Sequence, residues 1–132
     1  MTKQKNILLI DEDLMVRQAL GQALAVENYH VVSAANRHEA LREAGQQPID
    51  IVLLDLNPRG ENAWETVQRL TALQPHVPVV AMTARREQHE PKSSAHRVNV
   101  LLEKPLNLSV LLQALNELAL ETQNARRHGN RL

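Results

Sequence analysis

Short apolar runs alternate along this chain with longer stretches of helical period. Ile7–Ile10 is continuously apolar and stops at acids, the pattern of a buried strand. Leu14–Val26 follows with Val16, Ala19, Leu20, Ala23 and Leu24 on one helical face. His30–Ala34 predicts a second strand. Asn36, with Glu39 three residues on, predicts a capped helix to about Ala44. Ile51–Leu54 predicts a third strand. Asn62 and Glu65 repeat the capping signal, and Val67, Leu70 and Leu73 continue that helix. Val77–Met82 and Val98–Leu102 predict a fourth and a fifth strand. Between them Ala84–Arg97 is polar, and Pro91 interrupts it, so the helix expected around Gln88–Ser94 is short or bent. Asn107 predicts the cap of a last helix to about Gln123, buried through Leu108, Leu111, Leu112, Leu115 and Leu118.

Five βα units follow from this alternation. Strands that are apolar on both faces need helices on both sides, which makes the fold class α/β with a doubly wound, five-stranded parallel sheet. One domain over residues 1–124 is expected. Residues 125–132, with Arg126, Arg127 and Arg131 beside Gly129, read as a basic tail or the start of a linker. The 132 residues suffice for one buried core.

Composition narrows the function. Fifteen basic side chains balance fifteen acidic ones, so the basic excess of a dedicated nucleic-acid binder is missing. With no Cys there is no disulfide, thiolate zinc site or Cys nucleophile. The longest apolar run, Val77–Met82, contains Pro78 and is far below the ~18 residues of a membrane span. Ile7–Ile10 is too short for a signal-peptide core, and a soluble cytoplasmic protein without a membrane partner is expected. The six histidines include no i,i+4 pair and are expected at the surface. No Gly-rich nucleotide loop is present.

The chemistry lies where strands end. The first strand ends in Asp11-Glu12-Asp13, the third in Asp55, the fourth in Thr83 and the fifth in Glu103-Lys104-Pro105. In an open parallel sheet these ends share one edge, and ligands bind where the strand order reverses. Carboxylates ~4 Å apart repel by about 4 kcal/mol at an effective dielectric near 20, so protons or a cation must relieve them. Mg²⁺ suits such oxygens and often binds beside a phosphoryl group. Lys104 and Thr83 suit phosphoryl oxygens, and a carboxylate among these groups is equipped to become an acyl phosphate. Taken singly each residue has a plainer reading: Asp13 as a helix cap, Asp55 as a loop acid, Thr83 as an N-cap, Lys104-Pro105 as a turn. All of them at the right strand ends make the plainer account a poor joint explanation.

The constellation resembles the receiver domain of two-component response regulators, the CheY-like family, over residues 5 to about 124. The resemblance rests on Ile7-Leu-Leu-Ile-Asp-Glu-Asp13, Asp50-Ile-Val-Leu-Leu-Asp-Leu56, Val79-Val-Ala-Met-Thr-Ala84 and Glu103-Lys-Pro105. It implies a flavodoxin-like (βα)5 fold with strand order 2-1-3-4-5. It implies that Asp55 accepts a phosphoryl group from a histidine kinase or phosphotransfer protein. It further implies that Asp11, Glu12, Asp55 and the backbone carbonyl of Asn57 hold Mg²⁺. Thr83 becomes the switch hydroxyl and Lys104 the phosphate-binding lysine. The resemblance implies signalling to a downstream protein or to the protein's own effector domain, and it leaves a homodimer open. Such a domain catalyses its own phosphorylation and slow dephosphorylation but is not a turnover enzyme.

Departures from the family pattern fall on both sides of the site, and those at Leu101 and Arg97-Val98-Asn99 lie on the output side. Glu12 stands where many relatives have Asp. Pro58 comes one residue early, Ala63 replaces a Gly, and Trp64 falls where a large residue often opens the third helix. The switch position holds Leu101 in place of an aromatic, and Arg97-Val98-Asn99 replaces a common Gly-Ala-Asp. Coupling is therefore expected through Thr83–Arg86 and the polar Glu87–His96 segment. A receiver-like interaction domain that no longer switches is the rival reading. A Mg²⁺-dependent phosphatase is a weaker one, because Asn57 stands where such enzymes need a second acid.

Overall fold

A computed structural model describes residues 4–56, 63–84 and 98–129. The elements are β1 (Lys5–Ile10), α1 (Leu14–Val26), β2 (Tyr29–Ala34), α2 (Arg37–Gln46), β3 (Ile51–Asp55), α3 (Ala63–Leu73), β4 (Val79–Thr83), β5 (Val100–Glu103) and α4 (Leu108–Gly129). Every strand pairing is parallel and the order is β2-β1-β3-β4-β5, as expected. The expected helix around Gln88–Ser94, the basic residues Arg85, Arg86 and Arg97, the Asn62 cap and Asn57 lie outside the described residues.

Strand register divides the core. Leu8 lies opposite Val52, and Val52 opposite Val79, so these side chains share one face of the sheet. With Ile10, Leu54 and Ala81 they bury Ala40 and Ala44 of α2 and Val67 and Leu70 of α3. The other parity, Ile7, Leu9, Ile51, Leu53, Val80 and Met82, buries Leu24 of α1 and Leu111, Leu115 and Leu118 of α4. Two of the described helices therefore cover each face, and the central strands have no polar side, in keeping with their unbroken apolar sequence. Among the described residues no helix is long and apolar enough to cross a membrane.

The caps follow local rules. Asp13 Oδ1 accepts from the amides of Met15 and Val16 and opens α1. Asn36 Oδ1 accepts from Glu39 N as expected, while Glu39 Oε1 accepts from Ala35 N. Asn107 Oδ1 accepts from Val110 N at the start of α4.

Several burial expectations are corrected. Ala19 is exposed, and of the α1 stripe only Leu24 is fully buried. Leu108, the first residue of α4, is exposed rather than part of the buried stripe. The last helix runs to Gly129 rather than stopping near Gln123, because no Gly or Pro interrupts it before that residue. His30, His38 and His76 are at the surface as expected.

Candidate functional site at the carboxyl edge of the sheet

Parallel pairing brings the four chemistry-bearing strand ends to one edge. Ile10 lies opposite Leu54, so Asp11 and Asp55 emerge side by side from β1 and β3. Asp55 pairs with Met82, and Thr83 with Glu103, which places Thr83 and Lys104 on the same rim. Main-chain bonds lock these ends: Leu56 N donates to Met82 O (2.7 Å), and Lys104 N donates to Thr83 O (2.7 Å). In the order β2-β1-β3 the chain reverses its winding between β1 and β3, so the two carboxylates flank the topological switch point.

Lys104 joins the two acids. Its Nζ is 2.9 Å from Asp55 Oδ1 and 3.8 Å from Asp11 Oδ2. Both carboxylates are buried while the lysine is partly exposed. Thr83 is buried at the end of β4. The Lys104-Pro105 peptide is cis and turns the chain from β5 toward α4.

The two oxygens of Asp11 differ. Oδ1 accepts from Asp13 N at 2.9 Å. Oδ2 is buried and has no hydrogen-bond partner. Burial pushes the Asp11 carboxyl above its ordinary range; the Asp13 amide opposes this, the nearby Asp55 charge adds to it, and Lys104 opposes it. A buried carboxylate oxygen with no hydrogen-bond partner, beside a second carboxylate, is a donor set that suits a hard cation. Mg²⁺ is commonly held by one or two carboxylates and keeps several waters.

Of the residues expected at the site, the structure brings Asp11, Asp55 and Lys104 together and places Thr83 on the same rim. Glu12 is exposed beside Asp11. Among the described residues no group of three or more His, Cys, Asp or Glu side chains is placed to hold a metal. Leu101 is half-buried and packs against the core on the α2–α3 face.

One residue escaped the sequence reading. Arg17 Nη1 donates to the main-chain oxygen of Asp11 at 2.6 Å. The available signal was its place as the fourth residue of α1, because helical side chains lean back toward the N-terminus and over the preceding turn.

Comparison with known proteins agrees with this geometry. Residues 7–116 match the family described as response regulator receiver domain. The transcriptional regulatory protein GlrR of Escherichia coli K12 is 30% identical over 116 residues, which are 87% of this chain and 26% of that protein. The chain thus spans about a quarter of that relative's length. A CheY-like receiver domain protein from Methanospirillum hungatei superposes with a TM-score of 0.87 at 22% identity, covering 93% of this chain and 99% of that one. A response regulator from Burkholderia pseudomallei, solved with a phosphorylated aspartic acid, a calcium ion and citrate, superposes at 0.79 with 26% identity, covering 96% of this chain and 75% of that one. A family match across most of the chain, on a sheet whose carboxyl edge gathers Asp11, Asp55, Thr83 and Lys104, leads to one conclusion: the chain belongs to the response regulator receiver domain family.

Proposed function

We propose that Asp55 accepts a phosphoryl group from a histidine kinase or phosphotransfer protein in a Mg²⁺-dependent reaction. The acyl phosphate then alters the surface offered to a downstream protein or to an effector domain of the same protein. The observation that carries this reading is the ion pair of Lys104 with Asp55 beside the partnerless Oδ2 of Asp11. The phosphorylated aspartic acid of the Burkholderia relative gives the reading further support.

In the transfer, an Asp55 carboxylate oxygen forms a P–O bond as the P–N bond of phosphohistidine breaks. The bond's electron pair leaves with the imidazole. Asp11, Glu12, Asp55 and the carbonyl of Asn57 would hold the metal, whose positive charge would offset the negative charge of the transferring phosphoryl group. Lys104, already at the acceptor carboxylate, supplies a fixed ammonium to the incoming phosphoryl oxygens. The Thr83 hydroxyl serves another of those oxygens. Burial of Asp55 keeps water away from the acyl phosphate. The domain acts in the cytoplasm, where its phosphodonor would meet it.

Incubation with Mg²⁺ and acetyl phosphate should add one phosphoryl mass to the intact protein, and Asp55→Asn should remove that gain. Equal labelling of the variant would refute the assignment. A non-switching interaction domain is the second reading, favoured by a half-buried Leu101 packed against the core at the switch position. It gains ground if Asp55 labels but the amide spectrum is unchanged outside the site.

A further inference from the structure

The turn between β1 and α1 carries both Asp11 and Glu12, and its conformation sets how the two carboxylates face one another. Besides the Asp13 cap, four contacts among the described residues hold it. Asp11 N donates to Ala34 O (3.1 Å), and Arg17 N donates to Asp13 O (3.0 Å). Asp13 N donates to Asp11 Oδ1 (2.9 Å). The fourth contact is the Arg17 guanidinium on Asp11 O at 2.6 Å. The first three fix the entry to the turn, the start of the helix and one carboxylate oxygen. Among the described residues only Arg17 bonds the carbonyl of Asp11, and it thereby fixes the plane of the Asp11–Glu12 peptide. A planar peptide moves as a unit, so rotation there swings Glu12 relative to Asp11.

We propose that Arg17 is a positioning residue for the cation site, a role that rests on the Mg²⁺-dependent reading above. Its charge-assisted hydrogen bond holds the Asp11–Glu12 peptide so that the partnerless Asp11 Oδ2 and the Glu12 carboxylate address one ion. Without the guanidinium the partly buried Asp11 carbonyl loses its partner, and the peptide is free to turn. The contact is short and comes from the end of a long side chain whose backbone is itself fixed by α1.

The role makes a prediction opposite to that of simple charge. Arg17 is a cation close to a proposed cation site. If it acted only through its charge, its removal would tighten Mg²⁺ binding. If it holds the peptide, removal weakens binding although a repulsive charge is lost.

The test is a MgCl₂ titration of the full chain followed by amide chemical shifts. Asp11→Asn calibrates the reading beneath: it must weaken binding, and a wild-type chain whose Mg²⁺ response ignores Asp11 would overturn the cation site itself. Given that response, Arg17→Met is expected to weaken Mg²⁺ about tenfold and to shift the Glu12 and Asp13 amides before any metal is added. Leu20→Ala, which loosens α1 away from the turn, is expected to lower thermal stability and leave the affinity unchanged. Arg17→Lys keeps the charge and loses the fork, and it asks the same question should the Met variant fail to fold; an affinity between those of wild type and Asp11→Asn is expected. Affinity equal to wild type or tighter in either Arg17 variant, with the Asp11→Asn effect intact, would overturn the positioning role alone.

Discussion

Lys104 is shared unequally between two acids: its ammonium is 2.9 Å from Asp55 Oδ1 but 3.8 Å from Asp11 Oδ2. With the cation close to one carboxylate, Oδ2 of the other is left buried without a hydrogen-bond partner. On the proposed Mg²⁺-dependent reading, lysine and metal are alternative counter-ions for Asp55.

Replacing Lys104 with Met should therefore separate the two roles. Without the competing ammonium, Mg²⁺ affinity is expected to rise about fivefold, the scale of a partly exposed ion pair. Labelling by acetyl phosphate is expected to slow about a hundredfold, because the fixed positive charge at the phosphoryl oxygens is gone. A Mg²⁺ titration and an intact-mass time course check the two effects. A variant that labels at the wild-type rate would remove Lys104 from the reaction.

Asp11 predicts a pH dependence of stability. Burial raises its carboxyl pKa in the folded chain, so the folded state holds the proton to higher pH than the unfolded state does. Stability from this group is then present at low pH and is lost as pH rises from the ordinary carboxylate range through the folded value. Asp11→Asn removes that loss. In the absence of metal it should stabilise the chain at neutral pH by about 1 kcal/mol, or roughly 4 °C in Tm. The advantage should disappear below the ordinary carboxylate range, where Asp11 is neutral in both states. Thermal melts in a chelating buffer across pH would show the crossover, and a pH-independent difference would contradict it.

Asp13 caps α1 through two amides, and its loss should be local. Asp13→Ala is expected to cost about 1 kcal/mol of stability in denaturant unfolding. A neutral result would mean that water satisfies the first turn equally well.

Gln74 ties three elements at the other end of the sheet. Its Oε1 accepts from Ile49 N, and its Nε2 donates to Ala44 O and Gln47 O. Gln74→Ala leaves a part-buried amide and two carbonyls without that partner and should cost about 2 kcal/mol. Phosphoryl labelling of the folded variant should match wild type, since the site lies at the opposite edge. A labelling defect at full folding would reveal coupling across the sheet.

Much of this protein was legible in its sequence because the signals are local. Unbroken apolar runs such as Ile51–Leu54 mark strands buried on both faces, and β3 covers that run. The Asn36 and Asn107 caps need only a side chain and an amide three residues away. Parallel strands separated by helices then bring Asp11, Asp55, Thr83 and Lys104 to one edge, so the site's membership follows from order along the chain.

What the tertiary structure decided is pairing at a distance. Helical period alone places Ala19 and Leu108 on buried faces, but in the packed chain both are exposed. The hydrogen bond between the Tyr29 hydroxyl and Asn116 joins β2 to α4 across most of the chain, and no local pattern announces it. Gln74 finds its partners only once α3 has packed beside α2 and the segment that leads into β3. At the rim, sequence supplies the charges, but only the packed strands decide which oxygen of Asp11 is buried without a partner and which acid takes the lysine. Desolvation and ångström-scale distances set those outcomes, and both arise only when separate segments exclude water from one another.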